Sequence, residues 1–178
     1  MTIPNILSLL RIGLVPVFTV LYLKGMVLQA LAVLLISAAT DVLDGAIARH
    51  CNMVTELGKA LDPIADKLIQ AAMMLCAASI TPIVWLLLGL HVLRELSLSL
   101  MGLHVLRVTG NVYGAKWYGK LCTAVIYGVM IALLAWPSMP KAAADTGVLL
   151  CAALVGFCLC MYFMNYLRIL NDGNQTGE

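Results

Sequence analysis

Apolar residues run along this chain in long, nearly unbroken stretches, and polar residues collect in the short gaps between them. Six stretches reach the roughly 20 residues a helix needs to cross a bilayer core: about 4–23, 27–48, 60–80, 82–106, 117–137 and 146–168. The gaps carry helix-ending chemistry. Lys24-Gly25 ends the first stretch and Arg49-His50-Cys51-Asn52 the second. Thr81-Pro82 opens the fourth, since proline is tolerated in a first helical turn. Thr109-Gly110-Asn111, with Gly114, separates the fourth from the fifth, and Pro137-Ser138-Met139-Pro140 closes the fifth. The pattern predicts an all-α integral membrane protein with six transmembrane helices. It forms one domain over 1–170, followed by a polar C-terminal tail over 171–178.

Composition supports the membrane assignment. The 178 residues are 62% hydrophobic and 11% charged, against about 25% charged in soluble domains. A net charge of +2 gives no footing for a nucleic-acid partner. The six cysteines include no C-x-x-C pair and fall mostly in apolar runs, so they are expected to pack as small hydrophobes. His50, His91 and His104 lack metal-ligand spacing among themselves. No cleavable signal is expected, because Met1–Leu10 has no basic start and Arg11 interrupts the first apolar run.

Lysine and arginine set the expected orientation. With six crossings, both termini share a side with the connections after the second and fourth helices. That side holds Arg49, Lys59, Arg107, Lys116, Lys120 and Arg168, and the other holds Lys24 and Lys141. Both termini are therefore expected in the cytoplasm. Arg11 is expected at headgroup level on a bent first segment, with an interfacial helix over residues 2–10 as the alternative.

The chemistry concentrates where the second and third helices meet. Asp41 and Asp44 are three apart, and Asp62 and Asp66 four apart, spacings that put each pair on one helix face. A carboxylate inside a bilayer helix costs roughly 2.5–3.5 kcal/mol, and four together also repel one another. Something cationic is expected between them. Converging carboxylates suit Mg²⁺ or Mn²⁺ together with substrate phosphates. Two ions about 3.5–4 Å apart clamp both oxygens of an in-line phosphoryl displacement. Gly45 leaves room where a diphosphate must approach, Ala46, Ala48, Gly58, Ala60 and Ala65 keep the helices thin, and Arg49 is placed to meet a phosphate. Pro63 leaves a carbonyl without its helical partner and is expected to re-aim Asp62. Ion pairing with Lys67, Arg94 or Arg49 is the plain structural alternative, and it offers few bases for four acids.

At these residues the chain resembles the CDP-alcohol phosphotransferase family, whose signature is D-x2-D-G-x2-A-R-x8-G-x3-D-x3-D. Asp41, Asp44, Gly45, Ala48, Arg49, Gly58, Asp62 and Asp66 fill every fixed position. The opening I-P-N-I-L-S-L-L-R-I is similar to the start of bacterial phosphatidylglycerophosphate synthases and related cardiolipin synthases. The resemblance implies a plasma-membrane homodimer with a cytoplasmic active site. It also implies transfer of a phosphatidyl group from CDP-diacylglycerol to an alcohol, with release of CMP. In that scheme Asp41, Asp44, Asp62 and Asp66 hold two Mg²⁺ or Mn²⁺ ions, and Asp66 is the general base. Asp41, Gly45, Ala48, Arg49 and Gly58 meet the donor.

Arg94, Arg107, Lys116, Lys120 and Arg168 are the candidate acceptor-binding cations. Phosphatidylglycerophosphate synthases resemble R-E-x3-S-x-L-R followed by G-K-x-K-T. This chain keeps Arg94, Glu95, Ser99, Gly119, Lys120 and Thr123, but has Met101, Gly102 and Cys122 at the other positions. Glycerol 3-phosphate is the leading acceptor, and phosphatidylglycerol, as in a cardiolipin synthase, is the alternative. An ion-coupled carrier is the rival from another class, because intramembrane acids also mark ion pathways. The inverted repeats common in carriers are not visible here.

Overall fold

The computed structural model describes residues 3–51, 56–109 and 117–175, with side chains over 6–40, 61–107 and 117–169. Its helices are α1 (Ile3–Leu23), α2 (Val27–Cys51), α3 (Glu56–Ala77), α4 (Val84–Thr109), α5 (Trp117–Ala135) and α6 (Lys141–Gln175). All are α-helical, as the apolar stretches predict. Among the described residues four stretches are long and apolar enough to cross a membrane: Ile6–Leu23 of α1, Val84–Arg107 of α4, Trp117–Ala135 of α5 and Lys141–Ile169 of α6. In α2 the apolar run is the shorter Val27–Thr40. The described side chains of α2 end at Thr40, and those of α3 begin at Leu61.

Boundaries follow local chemistry. Gly25 sits at φ +75° between α1 and α2, a conformation cheap only for a residue without Cβ. Its N–H bonds the Tyr22 carbonyl at 2.9 Å and the Met26 N–H reaches back to Leu21 at 3.0 Å, the paired bonds of a Schellman cap. α3 starts four residues before the expected position and stops at Ala77, where Ser79 and Ile80 turn back onto Cys76 and Ala77. Pro82 lies in a lead-in turn rather than in α4, with Val84, Trp85 and Leu86 bonding three residues back.

Expected to begin near 146, α6 starts at Lys141 directly after Pro140, whose carbonyl accepts from Ala143 and Ala144. Asp145, one residue before the expected start, lies inside the helix and accepts a hydrogen bond from the Thr81 hydroxyl. The carboxylate is satisfied by a distant partner, which sequence spacing does not reveal.

The chain divides into two compact units, Met1–Ile80 with Met130–Met139, and Thr81–Val129 with Pro140–Glu178. In the first, α1 packs against both α2 and α3. Its buried residues include Ser8, Arg11, Phe18 and Tyr22, with Ala30, Leu34 and Ser37 buried on α2 and Ala65, Ile69, Met73 and Cys76 on α3. In the second, α4 packs on α6. Val84, Leu87, His91, Arg94 and Val105 are buried on α4, and Ala144, Val148, Cys151, Val155 and Cys158 on α6. Steps of three and four along each stripe are the signature of one helical face. The outward faces stay apolar, Leu28 and Leu35 among them, as expected of surface that meets lipid rather than water.

Candidate active site

Polar and apolar residues segregate along the packed faces of the first unit. On α3 the face begins with Asp62, Asp66 and Gln70, then turns apolar with Met73, Met74, Cys76 and Ala77. On α1 it begins with Ser8 and Arg11 and turns aromatic with Phe18 and Tyr22. The two helices run parallel in matched register. Ser8 meets Asp62, and fourteen residues further along each helix Tyr22 lies within electrostatic reach of Cys76. Polar ends therefore face each other, and apolar ends do the same. Such layering keeps buried donors and acceptors within reach of partners, which matters because an unpaired one costs about 1–3 kcal/mol.

The Ser8 hydroxyl, wholly buried, donates to Asp62 Oδ1. One turn further along α3, the buried Gln70 amide donates to Asp66 Oδ2 at 3.4 Å. Each carboxylate thus has an oxygen engaged by a neutral donor. Both aspartates are only partly buried, so they remain open to a ligand. Hard oxygen donors, themselves hydrogen-bonded from behind, are the donor set that Mg²⁺ and Mn²⁺ take. Among the described side chains no three His, Cys, Asp or Glu residues form a metal-holding group. The expected ligands Asp41 and Asp44 lie outside the described side chains, as do Gly45, Ala48, Arg49 and Gly58. Pro63 lies within α3 directly after Asp62, so the carbonyl four residues before it has no N–H to accept from.

Ser8 and Arg11 are the additions that sequence reasoning passed over as chemistry. The available signal was a hydroxyl and a cation three apart in an otherwise apolar helix, hence on one face. Arg11 is 2% exposed on α1, which is continuous from Ile3 to Leu23. The α3 face carrying the acids packs on this same helix, so the buried cation has a physical reason to be drawn inward.

The acceptor candidates fall in the second unit. Arg94 is 4% exposed, its Nη1 lies 3.3 Å from Glu95 Oε1, and its Nη2 donates to the Gly119 carbonyl at 3.4 Å. Among the described residues, Arg94 Nε has no hydrogen-bond partner. Lys120 follows Gly119 and is exposed. Arg107 borders a cavity of about 500 Å³ lined by Leu100, Met101, Leu103, His104 and Tyr166. Arg168 is exposed on α6, and Lys116 lies outside the described residues. At Gly119 of α5 there is no room for a side chain, because a Cβ there would run into the Tyr162 hydroxyl of α6. Tyr162 in turn packs edge-on against Tyr118 at 4.7 Å.

Comparison with known proteins places this geometry. The family model described as CDP-alcohol phosphatidyltransferase matches residues 1–164. A Mycobacterium tuberculosis protein named probable phosphatidylglycerophosphate synthase is 34% identical over 142 residues, 75% of this chain and 67% of that protein. The Bacillus subtilis CDP-diacylglycerol–glycerol-3-phosphate 3-phosphatidyltransferase is 34% identical over 150 residues, 74% of this chain and 76% of its own length. Rat cardiolipin synthase (CMP-forming) is 51% identical over 69 residues, covering 38% of this chain and 23% of that protein. With its acidic signature filled at every fixed position and the family model matching residues 1–164 of its 178, the chain belongs to the CDP-alcohol phosphatidyltransferase family.

Proposed function

We propose that this protein transfers the phosphatidyl group of CDP-diacylglycerol to the hydroxyl of glycerol 3-phosphate, releasing CMP, as a phosphatidylglycerophosphate synthase. The observation that carries the reading is the hydrogen-bonded pair Asp62 and Asp66 on the packed face of α3, in a chain whose family and relatives are phosphatidyltransferases. The helical hairpin adds support. Counting from the turn at Gly25, Ser8 stands seventeen residues before and Asp41 sixteen after. At about 1.5 Å per residue, the two backbone positions share a depth, and Ser8 is already joined to Asp62.

Asp41, Asp44, Asp62 and Asp66 would hold two divalent ions, which when bound neutralise the donor diphosphate and stabilise the departing CMP. The rest is done by the chain. Gly45 and Gly58 leave room for the nucleotide's approach, and Ala48 and Arg49 meet its ribose and phosphates. Asp66 takes the proton from the acceptor hydroxyl as that oxygen bonds to the phosphorus bearing diacylglycerol. The bond from that phosphorus to the CMP oxygen breaks in the same displacement. Arg94, with Nε still open in a buried setting, suits the acceptor's phosphate, with Arg107, Lys116, Lys120 and Arg168 as further cations.

The protein is further proposed to be a homodimer of single-domain subunits over 1–170. It crosses the plasma membrane six times, with both termini and the active site on the cytoplasmic side. The lysine and arginine distribution supports that orientation. A second reading, phosphatidylglycerol as acceptor, is favoured by Cys122. This uncharged and fully buried residue stands where the resemblance expects a lysine.

Purified protein given radiolabelled CDP-diacylglycerol, Mn²⁺ and a panel of alcohols tests both. Glycerol 3-phosphate should stimulate CMP release most strongly. Stimulation by phosphatidylglycerol alone would select the second reading, and ion flux without CMP release would select a carrier.

A further inference from the structure

We infer that Ser8 is a positioning residue for the active site, fixing Asp62 in the orientation in which it grips a divalent cation. The inference rests on the proposed function and deepens it by adding α1 as a wall that the acidic signature does not contain. Three observations carry it. Ser8 is wholly buried and its hydroxyl donates to Asp62 Oδ1 across fifty-four residues of sequence. α1 packs along both α2 and α3, so a bond from it bears on the two helices that carry the acids. In addition, α1 and α3 run in matched parallel register, with Tyr22 within electrostatic reach of Cys76 fourteen residues beyond the Ser8–Asp62 bond on each helix.

The chemistry follows from the hydroxyl. An aspartate has two soft torsions, and a free carboxylate close to others turns away from them by like-charge repulsion. A neutral donor behind Oδ1 holds the group without adding charge that would compete with a cation. The cation is then gripped through the second oxygen, Oδ2. A lysine in place of Ser8 would satisfy Asp62 by ion pairing and weaken its hold on metal. Partners of this kind around a metal site are worth about 10–100-fold in affinity.

The test compares purified full-length wild type with Ser8→Ala and Ser8→Thr. Mn²⁺ binding is read from the electron paramagnetic resonance signal of free Mn²⁺ with CDP-diacylglycerol present, and CMP release is followed against Mn²⁺ concentration. Ser8→Ala should raise the Mn²⁺ concentration for half-saturation about tenfold in both measurements, with the rate at saturating Mn²⁺ kept within about threefold. Ser8→Thr, which retains the hydroxyl, should restore the wild-type curve. If Ser8→Ala does not fold, Ser8→Cys fills the same space with a weak donor and should show the same rise.

An unchanged Mn²⁺ curve for the folded Ala or Cys protein overturns the positioning role, as does a loss of rate at saturating metal with no shift in half-saturation. Wild type that binds Mn²⁺ and releases CMP while Ser8→Ala behaves identically defeats this inference alone. Wild type that does neither defeats the proposed function with it.

Discussion

Asp62 and Asp66 differ in what surrounds them, and the difference separates their roles. A buried hydroxyl from another helix donates to Asp62, and Asp66 accepts a 3.4 Å bond from Gln70 within its own helix. A carboxylate tied to a second helix suits a ligand that must stay put. Asp66 is the group to which the proposed function gives the acceptor's proton. Asp66→Asn should therefore keep CDP-diacylglycerol binding and lose transfer by about 10²–10⁴-fold, the range for removing a general base. Asp44→Asn should weaken metal-dependent donor binding and abolish turnover together. Parallel binding isotherms and single-turnover CMP release check both. Equal loss of binding and transfer in Asp66→Asn would make it a ligand first.

At the scale of elements, the close approach of α5 and α6 depends on one absent side chain. Gly119→Ala drives a methyl into the Tyr162 ring, whose hydroxyl, Cζ and Cε2 all lie within 3.2 Å of the new carbon. The ring's edge-on contact with Tyr118 limits its escape. The same glycine's carbonyl accepts from Arg94 and from Thr123. Gly119→Ala should cost about 1–3 kcal/mol, read as a lower unfolding midpoint in detergent, and should raise the KM for glycerol 3-phosphate more than that for CDP-diacylglycerol. A wild-type midpoint would mean that the tyrosine yields freely.

Legibility in the sequence also differs by element. Helix positions in α1, α2 and α5 follow from apolar run length, since a bilayer demands it. The early start of α6 and the inward place of Asp145 did not, because Thr81 answers that carboxylate from sixty-four residues away. The signature acids were legible by spacing along single helices. Ser8 was not, because its meaning lies in a partner on another helix, and the burial of Arg11 was hidden for the same reason.

For the whole molecule, an acidic site in an apolar protein is acceptable only if it opens to water and cations on one side. In sealed right-side-out vesicles, a membrane-impermeant amine reagent should modify Lys24 and Lys141 and spare Lys116 and Lys120. The reverse pattern would invert the proposed topology. Chelation with EDTA should stop CMP release, and added Mn²⁺ should restore it.

The most direct measurement is the stoichiometry of Mn²⁺ taken up by purified protein in the presence of CDP-diacylglycerol, in wild type and in the double variant Asp62→Asn/Asp66→Asn. The wild type should take up about two ions per chain, and the folded variant should lose that uptake along with CMP release. Equal Mn²⁺ uptake by the two proteins, or CMP release that persists in the variant, would contradict the account.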